Sequence, residues 1–285
     1  MKKIHLILIC FLVLYSPTIK SQKNNSQAAV YNIVLGGIIG GIGAVINKNS
    51  NQNTGKTFLK GFREGAFGGY LLFESKRLIR EFGRQEKYIY AWSSKLVNAA
   101  GNSIIENAAA NNRFGEKWSF TFGFNRLEFH RKENFKAQYK IMPLSLIETV
   151  NATTKGYFNM KESLKTGHFI FKSYFIENDD EPMHGADGVT LSNSILVKKN
   201  NSSTDYIIMA HEILHVYQYE NLSGLNNFLN KSKTKFTKNK KWLQSYQKYF
   251  YTDFNYLIFS SIYGLQSTQP HEKRFYESEA YFYQN

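Results

Sequence analysis

The sequence predicts an α+β fold, on three observations. Near the N-terminus an apolar, glycine-punctuated stretch carries helical spacing. The middle of the chain breaks into short aromatic-rich runs with strand-like alternation. The C-terminal half returns to helical periodicity and holds the run His211-Glu212-Ile213-Leu214-His215. These divide the chain into a leader at residues 1–21, a glycine-rich helical region at 22–115, and a region at 116–285 that carries the chemistry.

Met1-Lys2-Lys3 is followed by an apolar stretch over residues 4–15 and by Ser16-Pro17, the pattern of a secretory signal peptide. Cleavage after Ser21 would leave Gln22 first. The chain is therefore expected to be exported, to the periplasm, the outer envelope or the exterior. Its single cysteine, Cys10, lies inside the leader and lacks the small residues that would precede a lipid-modified cysteine. The exported chain is then cysteine-free, which excludes disulfides and thiolate metal ligands.

Residues 33–46 are apolar throughout, with Gly36, Gly37, Gly40 and Gly41 at the four-residue spacing that lets helices pack closely. The run is shorter than the roughly 18–20 residues of a membrane span. After a polar turn at 52–57, residues 58–73 are again glycine-rich, and the two segments are expected to form a tight helical hairpin, as packed core or as a membrane-touching element, with disorder as the remaining reading. Residues 92–110 continue helically, with Leu96, Val97, Ala100, Ile104, Ile105 and Ala108 as the expected apolar face around Gly101.

From Trp118 to Phe175 the runs 118–124, 127–130 and 168–171 argue for strands. His130, His168 and His184 are scattered there and read as ordinary hydrogen-bonded histidines. The acidic cluster 177–181 reads as a solvated loop, because its spacing does not match a helix-loop-helix calcium site. Residues 188–197 read as one strand at a cleft edge. A lysine-rich stretch at 231–241 reads as an exposed loop or solvated helix start, and 242–263 as a buried helix or helix pair behind the site.

In the motif at 211–215, histidines four apart share one face of a helix, predicted over residues 204–220 with N-cap residues at 201–205. Glu212 sits one position round. Two imidazoles with a carboxylate beside them form the donor pattern of a zinc hydrolase, in which the carboxylate acts as general base on an activated water. The bland alternative, a buried helix with two bonded histidines, leaves an unpaired Glu to be buried at cost.

Far downstream stands Tyr276-Glu277-Ser278-Glu279-Ala280-Tyr281. H-E-x-x-H followed by a distant helix with E-x-x-A resembles the gluzincin superfamily of zinc metallopeptidases. The wider run 211–218 with Glu-x-Glu-Ala also resembles exported proteins of Bacteroidota. The resemblance covers roughly residues 185–285. It implies a zincin-like fold, an H-E-x-x-H helix preceded by an antiparallel sheet, a Zn2+ held by His211, His215 and Glu277, and Glu212 as the catalytic base. Glu279 is the alternative third ligand, disfavoured by the spacing from Glu277 to Ala280. Many family members carry Asp after that Ala, where this chain has Tyr281. Candidates to stabilise an oxyanion are Tyr281, Tyr283 and His271.

The implied partner is a peptide or protein substrate, paired by strand addition to residues 188–197. A net charge of +14, strongly basic even after three lysines leave with the leader, adds an anionic membrane or glycan surface. Specific nucleic-acid binding is not expected, since no nucleic-acid-binding signature accompanies the lysines. The rival to an enzyme is a non-catalytic, envelope-associated structural or binding protein that keeps a zincin-like fold.

Overall fold

The computed structural model describes residues 24–131, 135–174, 186–198 and 205–284. The predicted leader, the acidic cluster with His184, and the predicted N-cap residues 201–204 lie outside these. The architecture is mixed α/β, with two small sheets set among helices.

Three long helices form the first layer: α1 (Asn25–Asn47), α2 (Thr54–Gln85) and α3 (Tyr88–Ala109). Asn24 and Asn53 cap the first two, their side chains accepting from the amides of Gln27 and Lys56. Helix α1 thus starts eight residues before the apolar run, and α2 starts inside the predicted turn. At 23 residues α1 is long and apolar enough to cross a membrane by length and composition, yet over half of its most apolar window is buried against the protein.

The glycines explain the packing of this layer. A Cβ at Gly61 would stand 2.5 Å from the Gly40 carbonyl oxygen, and one at Gly68 would stand 2.7 Å from that of Gly101. Backbone therefore meets backbone, α1 on α2 and α2 on α3, and the hairpin is packed core with a third helix added. On α3, Ile104, Ile105 and Ala108 are buried as expected, but Leu96 is 56% exposed. The buried face at that level is polar, with Ser94, Lys95 and Asn98 turned inward because they meet Glu220, Ser75 and Tyr217.

The middle region holds an antiparallel sheet of β1 (Lys117–Phe122), β2 (Asn125–His130) and β3 (Lys136–Ile141), in that order. The runs 118–124, 127–130 and 168–171 do fall on strands, but the stretch between Ile141 and Phe169 is largely helical. There the chain forms α4 (Pro143–Lys155) and α5 (Met160–Thr166) around the short β4 (Gly156–Phe158). Proline at the first turn of α4, the Asn159 cap, and Gly167 at φ 76° ending α5 are the local causes.

The second sheet adds β5 (Phe169–Ser173), β6 (Gly188–Leu191) and β7 (Ser194–Lys198), in the order β4-β5-β7-β6. It is mixed rather than antiparallel, because β5 pairs parallel with β7. The single strand expected over 188–197 is a hairpin. The chain reverses at Ser192, at φ 55°, and β6 ends the sheet as its outer strand among the described residues.

Helix α6 (Asp205–Glu220) carries the H-E-x-x-H run. Its apolar residues Ile208, Ile213, Leu214 and Tyr217 join Phe73, Ile79 and Phe82 of α2, Ile170 and Ile195 of the mixed sheet, and Ala280 and Tyr283 in the largest core cluster. A second cluster under α1 takes in Leu222 and, from the mostly buried 3-10 segment Ser223–Leu229 that follows it, Leu225 and Phe228. Next come α7 (Asn230–Thr237), α8 (Lys241–Tyr249), α9 (Phe254–Leu265) and α10 (Phe275–Gln284). A helix pair does form over 242–263, but neither member is a buried helix: α8 buries none of its residues and α9 fully buries only Asn255 and Ile262, with Leu257 exposed.

Candidate metal centre

Helix spacing brings His211 and His215 onto one face of α6, with their Nε2 atoms 3.2 Å apart. Glu277, in the first turn of α10, directs Oε2 to within 3.4 Å of both. That oxygen is buried and makes no hydrogen bond of acceptable geometry. Three donors arranged tetrahedrally about zinc at about 2.0–2.2 Å stand about 3.3–3.6 Å from one another. The observed triangle of 3.2, 3.4 and 3.4 Å matches that spacing, so the residues present fit the ion. Within the described residues, this is the group of His, Cys, Asp and Glu side chains close enough to share a metal.

Neighbours fix each donor. The other Glu277 oxygen, Oε1, accepts from Tyr263 Oη at 2.7 Å and lies 3.3 Å from His271 Nε2, which reserves Oε2 for the triangle. The Gln218 amide nitrogen donates to the Tyr276 carbonyl and to Glu279 Oε2, so its oxygen is the acceptor for His215 Nδ1 at 2.8 Å. In the neutral ring the lone pair of His215 is then on Nε2, facing the triangle. His211 Nδ1 lies 3.1 Å from Gln284 Oε1. Two glutamines thus orient the imidazoles, while Tyr281 sets its ring edge-on to His211 at 5.0 Å.

Electrostatics follow the same geometry. Burial opposes the Glu277 carboxylate, but His211, His215 and Tyr263 outweigh it and hold the carboxyl well below the usual range. Burial likewise opposes the His215 imidazolium, and Glu277, then Glu212, push it up to about 9. Without a metal, His215 and Glu277 form a buried ion pair at neutral pH. A metal that takes its place expels a proton.

Glu212 stands beside the triangle, its Oε2 accepting from Thr190 Oγ1 at 2.7 Å, and the same hydroxyl reaches the Glu212 carbonyl oxygen at 2.9 Å. Strand β6 presses against this side chain, since a Cβ at Gly188 would stand 2.7 Å from Glu212 Cγ. A cleft of about 690 Å³ opens here, between β6 on one side and Tyr256, Phe259 and Tyr263 of α9 on the other. Its walls carry Asp187, Glu212 and Glu277 but no lysine or arginine among the described residues, despite the chain's basic balance.

Of the predicted site residues, His211, Glu212, His215 and Glu277 come together. Glu279 does not join them, because it is buried in an ion pair with Lys76 at 2.8 Å. Tyr281 and His271 line the cleft, whereas Tyr283 is buried in the core beneath the Arg80 guanidinium and lies off the cleft wall. Sequence reasoning missed Gly188, Thr190, Gln218 and Tyr263. Gln218, seven residues after His211 and on its helix face, is the one whose spacing carried a signal.

Comparison with protein-family models, with curated proteins and with solved structures finds no match.

Proposed function

We propose that this chain is an exported, zinc-dependent hydrolase of the metallopeptidase kind, with a gluzincin-like site of His211, His215 and Glu277. The observation that carries this reading is the triangle of donors with Glu212 held alongside. Bound there, zinc would supply Lewis acidity, polarising a carbonyl and raising the acidity of a water. Glu212 supplies the base, kept in place by Thr190 and too far round the helix to join the donor set. The outer strand β6 offers its backbone to an extended peptide along the cleft edge. Tyr281 and His271, at the cleft wall, are placed to donate to the oxygen that gains charge.

Elemental analysis of the purified chain beside Glu277→Ala tests the centre, with about one zinc expected in the parent and far less in the variant. Glu212→Gln tests the chemistry. It should retain zinc and lose peptide hydrolysis by at least about 100-fold. A parent that binds zinc yet shows no turnover on denatured protein substrates would favour the non-catalytic envelope protein. A parent that takes up no zinc ends the metallopeptidase reading.

A further inference from the structure

From Asn221 to Thr252 the sequence contains no aspartate or glutamate, while Lys231, Lys233, Lys235, Lys238, Lys240, Lys241 and Lys248 fall inside it. The structure folds the lysine-bearing part of this stretch into α7 and α8. Helix α8 is the most amphipathic described element and buries no residue. Its apolar arc is Trp242, Leu243, Tyr246, Tyr249 and Phe250, and only one side of that arc is docked. Leu243, Tyr246 and Phe250 are half-buried, whereas Trp242 is 68% and Tyr249 54% exposed.

Trp242 and Tyr249 are seven residues apart, so they lie two turns apart along one line of the helix. Lys241 and Lys248, each one residue earlier, form a parallel line beside it. On α7 the exposed Phe236 has the Lys240 ammonium 3.9 Å from its ring centre, repeating the pairing of aromatic ring and cation. The helix is held in a set direction, because Gln138 of β3 donates to the Lys248 carbonyl at 2.7 Å and Phe250 bridges to Ile141.

We infer that α7 and α8 form a docking surface for an anionic lipid bilayer, with Trp242 and Tyr249 seated at headgroup level and the lysines meeting lipid phosphates. The ring-plus-lysine pattern favours lipid over other polyanions. Tryptophan and tyrosine are the residues that settle at a membrane interface, and lysine stems extend outward to bring their charge to the headgroups. Lysines of a stretch that holds no acid of its own, Lys241 and Lys248 beside the exposed rings among them, supply the electrostatic attraction, and two exposed rings supply the apolar anchorage that charge alone lacks. The surface is independent of the metal centre. Helix α9 begins five residues after α8 ends and forms one wall of the cleft, so docking would hold the cleft close to the membrane.

The test is co-sedimentation with vesicles, using the chain from Gln22 onward, which keeps every described residue. Vesicles of phosphatidylcholine with about 30% phosphatidylglycerol should bind it, and pure phosphatidylcholine should not. The pair Trp242→Ala and Tyr249→Ala should lower the partition on the order of tenfold, and Lys241→Gln with Lys248→Gln by a similar factor. Because α8 buries no side chain, these variants should keep the parent's circular dichroism and melting temperature. Ser245→Glu, on the exposed side of the helix, gives a second route that leaves every aromatic in place and should also weaken binding. Absence of binding to anionic vesicles overturns the proposal. So does binding that the aromatic pair leaves unchanged, and so does tighter binding to duplex DNA that is indifferent to the aromatic pair, which would assign the surface to nucleic acid.

Discussion

Gly188 and Thr190 act on Glu212 from a different element, and their effect separates base positioning from metal binding. A methyl group at Gly188 has no room beside the Glu212 side chain, so Gly188→Ala should displace the carboxylate while leaving the three donors intact. A misplacement of about 1 Å can cost about 100-fold in turnover. The expected outcome is unchanged zinc content with kcat/KM reduced by that order, and full activity would show that the position of Glu212 is not critical. Lys76 acts from the opposite side. It is fully buried, bonded to Asn32 and to Glu279, and Glu279 holds the glutamine that orients His215. Lys76→Met leaves a buried carboxylate without its cation, which costs about 3–5 kcal/mol of stability. It should also weaken zinc binding by about 10- to 100-fold in competition with a chelator. The four residues at the centre were legible because helix spacing and a short downstream motif specify them. Thr190 and Tyr263 left no such trace, since their bonds to Glu212 and Glu277 span 22 and 14 positions with no period to reveal them.

Helical elements with glycine at four-residue spacing were legible as close-packing surfaces, and the structure uses them so. In an exposed helix, replacing glycine with alanine gains about 1 kcal/mol. At Gly40 the added methyl would collide with the Gly61 carbonyl and press on the Gly65 Cα and the Ala108 methyl. Backbone cannot yield as a flexible side chain does, and overpacking costs about 1–3 kcal/mol. Gly40→Ala should therefore lower the melting temperature in calorimetry, and a rise would mean that α1 and α2 separate easily. The apolar face of α3 misled the sequence reading because its inward face is partly polar, with Lys95 and Asn98 bonded to Glu220. Periodicity records hydrophobicity, and buried ion pairs are invisible to it. Helices α4 and α5 were masked by the aromatic runs on either side of them.

Across the whole molecule, the main core joins residues from both sides of position 115, so the helical layer supports α6 rather than standing apart from it. Buried titratable groups tie this assembly to pH. Burial opposes the Glu106 and Glu128 carboxylates, but Arg126 and Lys117 outweigh it and hold both carboxyls below their ordinary values. Each binds fewer protons folded than unfolded, so this stabilisation is present above pH 4.5 and is lost as pH falls below it. Burial, and then Lys95, depress the His168 imidazolium, which has the same sign from 6.5 downward. Thermal melts across pH should therefore show stability declining first below about 6.5 and more steeply below about 4.5, and a flat profile would contradict the buried pairs. Helix α10 contributes Glu277 to the donors, Gln284 to His211 and Glu279 to Lys76, at a sequence distance of 203 positions from the lysine. Pairings so far apart carry a large loop-closure cost that the docked helix must offset. A chain whose α10 has not yet docked therefore holds two histidines and no third donor, so the donor triangle exists only once the last described helix has seated.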